Sequence, residues 1–178
     1  TRGDSLDKNF DNYSIEYTYP DGTKLFYYGR AMEGCKGAFS SYALGTTGSA
    51  VISTNSHYPG KVRTYKGHNM DKENLIWAFP QPEPSPYQLE WDDLVDAIRD
   101  DKPYNEVKRG AEVSLVNTMG RMAAHTGQVI TFEDALNCEH EFAPDLDKLT
   151  DDSPSPLRLN SEGKYPVPQP GILKDREY

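Results

Sequence analysis

The chain has 178 residues, with 19 Lys+Arg, 28 Asp+Glu and 4 His, a formal net charge of −9. An acidic chain without a basic cluster lacks the Lys/Arg density that phosphate contact requires, which argues against nucleic acid and against anionic lipid as partners. Hydrophobic residues at 36% and charged residues at 26% place it outside the disordered class, its length suits one domain, and no apolar run approaches the ~20 residues of a membrane span.

The first half reads as strands. Tyr13, Ile15, Tyr17 and Tyr19 alternate with Ser14, Glu16 and Thr18, the period of a half-buried strand. Pro20-Asp21-Gly22 supplies a turn, since Pro fixes φ and Gly tolerates positive φ. Residues 23–28 resume an aromatic, β-prone run, which predicts an antiparallel hairpin. A second pair spans residues 39–44 and 49–53, joined by Gly45-Thr46-Thr47-Gly48. That glycine pair reads as a tight turn, because a phosphate-cradling loop would lead into a helix and here a strand follows. Shorter strands are expected at 61–65 and 75–79. The meander-like order predicts an antiparallel sheet.

Residues 80–86 hold four prolines in seven positions, which excludes an interior strand or helix and implies a stiff connector. Ser85, Pro86 and Gln88 read as a helix start: a capping Ser, Pro at the first helical position, and Gln closing a capping box. Tyr87, Trp91, Leu94, Val95 and Ile98 then fall on one helical face. Lys102-Pro103 ends that helix. A second helix is expected over 106–125, with Gly127 as its C-terminal cap. Its stripe of Val107, Ala111, Leu115, Met119 and Met122 is widened by Val113, Val116 and Ala123, which predicts packing on more than one side. Thr131 with Asp134 opens a short third helix by the same capping logic. Residues 144–178 carry six of the 13 prolines and read as an extended tail that wraps a surface or a partner. The expected fold is therefore α+β: a predominantly antiparallel open sheet, two main helices and a proline-rich tail. The expected division is a domain over 1–143 and a tail over 144–178.

Chemistry-bearing motifs are sparse. Two cysteines, Cys35 and Cys138, are too few for a disulfide framework and could pair or stay free. Cys138-Glu139-His140-Glu141 gathers metal-ligand types, but a site needs three or four convergent ligands and no second pair stands at finger-like spacing. A solvated loop is the better reading. Cys35 reads as a loop cysteine beside a cation. His57, His68 and His125 are isolated in sequence and read as surface or satisfied residues, with His125 near a helix C-terminus where a cationic ring complements the dipole. Arg2-Gly3-Asp4 matches a cell-adhesion tripeptide of a length that recurs by chance. There is no Gly-x-Ser-x-Gly elbow and no dinucleotide fingerprint.

The order of segments carries more information than any one of them. Tyr87-Gln88-Leu89-Glu90-Trp91-Asp92-Asp93-Leu94-Val95-Asp96-Ala97-Ile98-Arg99 is followed by Lys102-Pro103-Tyr104-Asn105-Glu106. Ala111-Glu112-Val113-Ser114-Leu115 and Met119-Gly120-Arg121-Met122-Ala123-Ala124-His125-Thr126-Gly127-Gln128-Val129-Ile130-Thr131 come next. With the Tyr19-Pro20-Asp21-Gly22 hairpin, Gly29-Arg30 and Leu44-Gly45-Thr46-Thr47-Gly48, the set resembles the carboxyl-terminal domain of the Gfo/Idh/MocA oxidoreductases, the family of glucose–fructose oxidoreductase and inositol dehydrogenase. The closing Tyr165-Pro166-Val167-Pro168-Gln169-Pro170-Gly171 is similar to a tail in a bacterial subgroup often exported by a twin-arginine signal, which would place the protein in the periplasm.

The resemblance implies a two-domain parent, with a Rossmann domain that binds NAD or NADP lying upstream of this chain. The family's Glu-Lys-Pro lysine and its Asp…His pair would lie there too, so no catalytic or cofactor-binding residue is assigned here and the chain alone is expected to be inactive. It would supply the substrate-side wall and, through its sheet face, a homo-oligomer interface. The implied substrate is a sugar, inositol or related polyol. Arg30 follows the strand that lines the family's cleft, and Tyr87, Gln88 and Trp91 open the helix near it. Many relatives carry His at the Trp91 position, and an indole there could stack on a sugar ring. The bland readings stand beside these: Trp91 also fits the buried stripe, and Arg30 also suits a surface ion pair. A non-catalytic binding or oligomerisation module is the alternative function.

Overall fold

The computed structural model describes residues 9–55, 57, 60–141, 143, 145–156 and 158–176. Arg2-Gly3-Asp4 and the start of the expected tail at Pro144 lie outside the described residues. The fold is α+β with open antiparallel sheets. The strands separate into a two-stranded and a four-stranded sheet. The chain divides into two units, residues 1–35 with 106–178, and residues 36–105.

In the first unit, β1 (Asn12–Thr18) and β2 (Lys24–Arg30) form the hairpin that the alternation and the Pro-Asp-Gly turn predict. Tyr19 belongs to the turn, donating its N–H to Thr23 O at 2.9 Å and accepting Gly22 N–H at 2.9 Å. Asp21 Oδ1 accepts Thr23 N–H at 2.9 Å, the Asx geometry that makes Asp a turn former. Register places Tyr13, Ile15, Tyr17, Leu25 and Tyr27 on one face, because paired and alternate residues share a face. That face meets α2 (Val107–Thr126), where Tyr17 Oη donates to Val116 O at 3.3 Å. Gly120 lets the strand approach: a Cβ there would stand 2.9 Å from Tyr17 Cζ and 3.2 Å from Ile15 Cδ1. Asn12, Ser14, Glu16, Phe26, Tyr28 and Arg30 take the opposite face, where Lys24 pairs with Glu16.

The C-terminal half of α2 is the buried half. His125 is fully buried, and Gly120 and Thr126 are also inside. His125 Nε2 and Tyr13 Oη share a 2.8 Å hydrogen bond, and Phe10 packs edge-on against the imidazole at 4.8 Å. The isolated histidine is thus a satisfied interior residue. Packing on more than one side does not extend to the first half of α2, where Val107 and Val113 are exposed. Apolar spacing sets which residues share a face and does not decide whether that face is covered. Gly127 caps the helix in the left-handed region (φ 69°), its N–H bonded to Ala123 O, as a C-terminal glycine should.

α3 (Phe132–Leu136) carries the capping box read at Thr131 and Asp134. Thr131 Oγ1 and N donate to Asp134 Oδ2 at 2.6 and 2.8 Å, and Asp134 N donates to Thr131 Oγ1 at 3.1 Å. The hydroxyl bond first, then the backbone bond, hold the Asp134 carboxyl below its ordinary value of 3.8. A carboxyl lowered in the folded state stabilises the cap above its unfolded pKa, and that contribution fades as pH falls through the folded value. Thr131→Val should move the Asp134 titration, followed by carboxyl NMR shifts, back up toward 3.8. A midpoint that stays put contradicts the cap.

In the second unit, β3 (Ser40–Leu44), β4 (Gly48–Thr54), β5 (Arg63–Lys66) and β6 (Leu75–Ala78) pair in sequence order, all antiparallel. The Gly45–Gly48 turn closes with Gly45 N donating to Gly48 O at 2.8 Å. Ser49, Val51 and Ser53 alternate inward on β4, opposite Tyr65 on β5. α1 (Pro86–Arg99) begins with Pro86 as predicted. The capping box at Ser85 and Gln88 does not form, because Ser85 makes no side-chain cap bond and the Gln88 amide donates instead to Asp92 Oδ1 at 2.7 Å. Cys35 and Cys138 are both free thiols.

Candidate functional site

The four residues singled out by resemblance do not fall in one unit. Arg30 ends β2 in the first, exposed beside Tyr28 on the hairpin face turned away from α2. Tyr87, Gln88 and Trp91 share the first turns of α1 in the second unit. Trp91 is 63% exposed and Tyr87 54%, so Trp91 is not the core residue that its spacing also allowed. Positions four apart sit one above the other on a helix, which aligns the indole with the phenol.

The start of α1 is anchored by a residue that sequence reasoning passed over. The Glu83 carboxylate accepts Lys61 N–H at 2.6 and 2.7 Å, one bond to each oxygen, and Val62 N–H at 3.3 Å. A carboxylate on backbone N–H groups makes a strong, directional tie. It pins the proline connector to the chain entering β5. Lys61 itself stands at φ 57°, a left-handed conformation that a non-glycine residue adopts at some cost.

Held this way, Tyr87 Oη meets His57 Nε2 in a short hydrogen bond, with ring centroids 6.0 Å apart. His57 also neighbours Phe39, nearly parallel at 18° with a centroid separation of 6.5 Å. Phe39 precedes β3 and His57 follows β4, neighbours that the β3–β4 pairing brings to one end of the sheet. The result is a run of partly exposed rings, Phe39–His57–Tyr87, with Trp91 one turn further along α1. The Gln88 amide and the Asp92 carboxylate stand beside it as a hydrogen-bonded pair. Such a surface offers flat apolar faces for C–H groups and polar groups for hydroxyls.

His57 and Phe39 were not legible as site residues. They lie 30 and 48 positions before Tyr87, and no local spacing links them. Among the described residues, no group of three or more His, Cys, Asp and Glu side chains is placed to hold a metal ion, and Cys138-Glu139-His140-Glu141 forms no such cluster. No described helix is long and apolar enough to cross a membrane. No family model, no curated protein and no solved structure matches the chain.

Proposed function

We propose that this chain is the substrate-side and subunit-contact part of an NAD(P)-dependent oxidoreductase that acts on a sugar, inositol or related polyol. The observation that carries the reading is the ring surface of Phe39, His57, Tyr87 and Trp91 beside Gln88 and Asp92. Polyhydroxylated rings present apolar C–H faces and a rim of hydroxyls, and this surface offers a partner for each. The resemblance of the ordered segments to the Gfo/Idh/MocA carboxyl-terminal domain supplies the reaction class. Hydride would pass between substrate carbon and nicotinamide, chemistry that belongs to the cofactor, while this chain's residues hold and orient the substrate. Arg30 enters the proposal by resemblance alone.

The subunit-contact role has its own support. Tyr28 (76% exposed), Leu44 (70%) and Ile98 (69%) are among the apolar side chains left open. Large apolar side chains left open in this way are the material of an interaction surface. The same observation supports a second reading, a non-catalytic oligomerisation module.

The two readings part on nicotinamide. The protein translated from the complete reading frame around this chain should bind NAD or NADP and oxidise a sugar or cyclic polyol. Residues 1–178 alone should do neither. Turnover by the chain alone overturns the proposal. So does a complete protein that binds no nicotinamide, which would leave the oligomerisation module.

A further inference from the structure

A cavity of about 220 Å³ opens in the first unit between the C-terminal half of α2, the segment around α3, and the tail. Three residues one turn apart on α2, Thr118, Met122 and Thr126, form one wall. Ile130 and the buried Ala135 continue its apolar lining. Cys138 and His140, just past α3, stand on the second wall.

The tail supplies the third wall. Gly171 N donates to Thr126 O at 2.8 Å, and Ile172 N and Leu173 N both donate to Gln169 O at 3.0 Å. This turn delivers Lys174, Asp175 and Arg176 to the cavity. On a chain of net charge −9, the tail's share of the lining holds two cations and one carboxylate. Neither Lys174 nor Arg176 has an ion-pair partner among the described residues. The cations therefore keep their capacity for an anion, and Met122, Ile130 and Ala135 give the same cavity an apolar part.

We propose that this cavity binds a small organic carboxylate, its anionic head at Lys174 and Arg176 and its apolar body against Met122, Ile130 and Ala135. The carboxylate matches the cations, since Arg presents a planar fork to that group. The apolar part selects an organic acid over a bare inorganic anion. This site is separate from the ring surface on α1 and does not depend on the polyol reading.

Cys138 gives a reporter inside the site. Iodoacetate and iodoacetamide alkylate a thiolate by the same displacement: a sulfur–carbon bond forms, the carbon–iodine bond breaks and iodide leaves. They differ in that iodoacetate carries a carboxylate. With Cys35→Ser, Cys138 is the chain's remaining thiol, and Cys138→Ser leaves Cys35 as the reference. The ratio of iodoacetate to iodoacetamide rates should be at least about threefold higher at Cys138 than at Cys35, as expected where local charge concentrates an anion. The double variant Lys174→Gln/Arg176→Gln should bring the ratio at Cys138 down to that of Cys35. Both substitutions lie on exposed residues and leave the fold's interior untouched. Hexanoate should slow carboxymethylation of Cys138 saturably, and inorganic phosphate at equal ionic strength should not. Equal ratios at the two thiols overturn the proposal, as does a ratio that survives loss of both cations. Phosphate protecting as well as hexanoate also overturns it, because the apolar part would then select nothing.

Discussion

Replacing His125 with Ala should destabilise the hairpin–helix unit by about 3 kcal/mol, the cost of emptying a large, fully packed position. His125 is the one large side chain with no accessible surface among the described residues. Its loss removes the packing of Phe10 at 4.8 Å and the 2.8 Å bond to the Tyr13 hydroxyl, which is left with the Phe10 N–H at 3.1 Å as its partner. Tyr13→Phe removes the bond to His125 and the 3.1 Å bond that Phe10 N–H donates to the same hydroxyl, and should cost about 1–2 kcal/mol. The two changes should not add, because residues in direct contact couple. Urea unfolding of the wild type, both single variants and the double variant measures this. A His125→Ala loss below that of Tyr13→Phe would mean the imidazole is not the keystone of this interior.

The second large effect concerns Gly127. Its φ of 69° alone costs a non-glycine residue about 1–2 kcal/mol. A Cβ there would also stand 2.9 Å from Gly171 N and 3.2 Å from Pro170 Cβ. Gly127→Ala should therefore do two things, strain the α2 cap and push the tail off it. Gly22 is the control, since it has φ 85° and open space where a Cβ would go. Gly22→Ala should show the backbone strain alone. Hydrogen exchange at Gly171 N, bonded to Thr126 O, reports the tail directly. It should speed up in Gly127→Ala and stay unchanged in Gly22→Ala. Equal protection in both variants would mean the tail does not rest on the cap. Since the tail carries Lys174 and Arg176 to the cavity, the same variant should also lower the iodoacetate preference at Cys138.

These elements differ in how far local sequence announces them. The Pro20-Asp21-Gly22 turn, Pro86 at the first position of α1, Gly127 and the Thr131–Asp134 box were all legible. Each depends on atoms within a few residues, so spacing alone specifies it. Ser85 and Gln88 matched the same template and did not form the box, because Asp92, one turn on, offered the Gln88 amide a charged acceptor. Long-range ties left no trace in spacing. Glu83 binds N–H groups 21 and 22 residues back, and Tyr87 meets His57 across 30. Both depend on how the β4-to-β5 segment returns toward the connector.

Burial was the least legible property. Of the apolar residues read on α1 and α2, Trp91, Ile98, Val107 and Val113 are exposed, and the buried positions of α2 are Gly120, His125 and Thr126. Periodicity reports which side chains point the same way, and it carries no information about what covers them. The exposure of Trp91 is what allows it to be read as a ring-stacking residue. The apolar faces that remain open are what a subunit or domain contact would cover.

The most direct test of the polyol reading uses the chain's own indoles. There are two, Trp77 and Trp91, and Trp77 lies on β6 packed edge-on against Phe79 at 6.1 Å. Trp77→Phe leaves Trp91 as the sole indole reporter. Titration with myo-inositol and with glucose should then change Trp91 fluorescence saturably for at least one of them. Tyr87→Ala in the same background should weaken that binding at least about threefold, a loss of roughly 0.7 kcal/mol. A Trp91 signal indifferent to both compounds, or a binding curve unmoved by Tyr87→Ala, would contradict the assignment of this surface to a sugar or polyol.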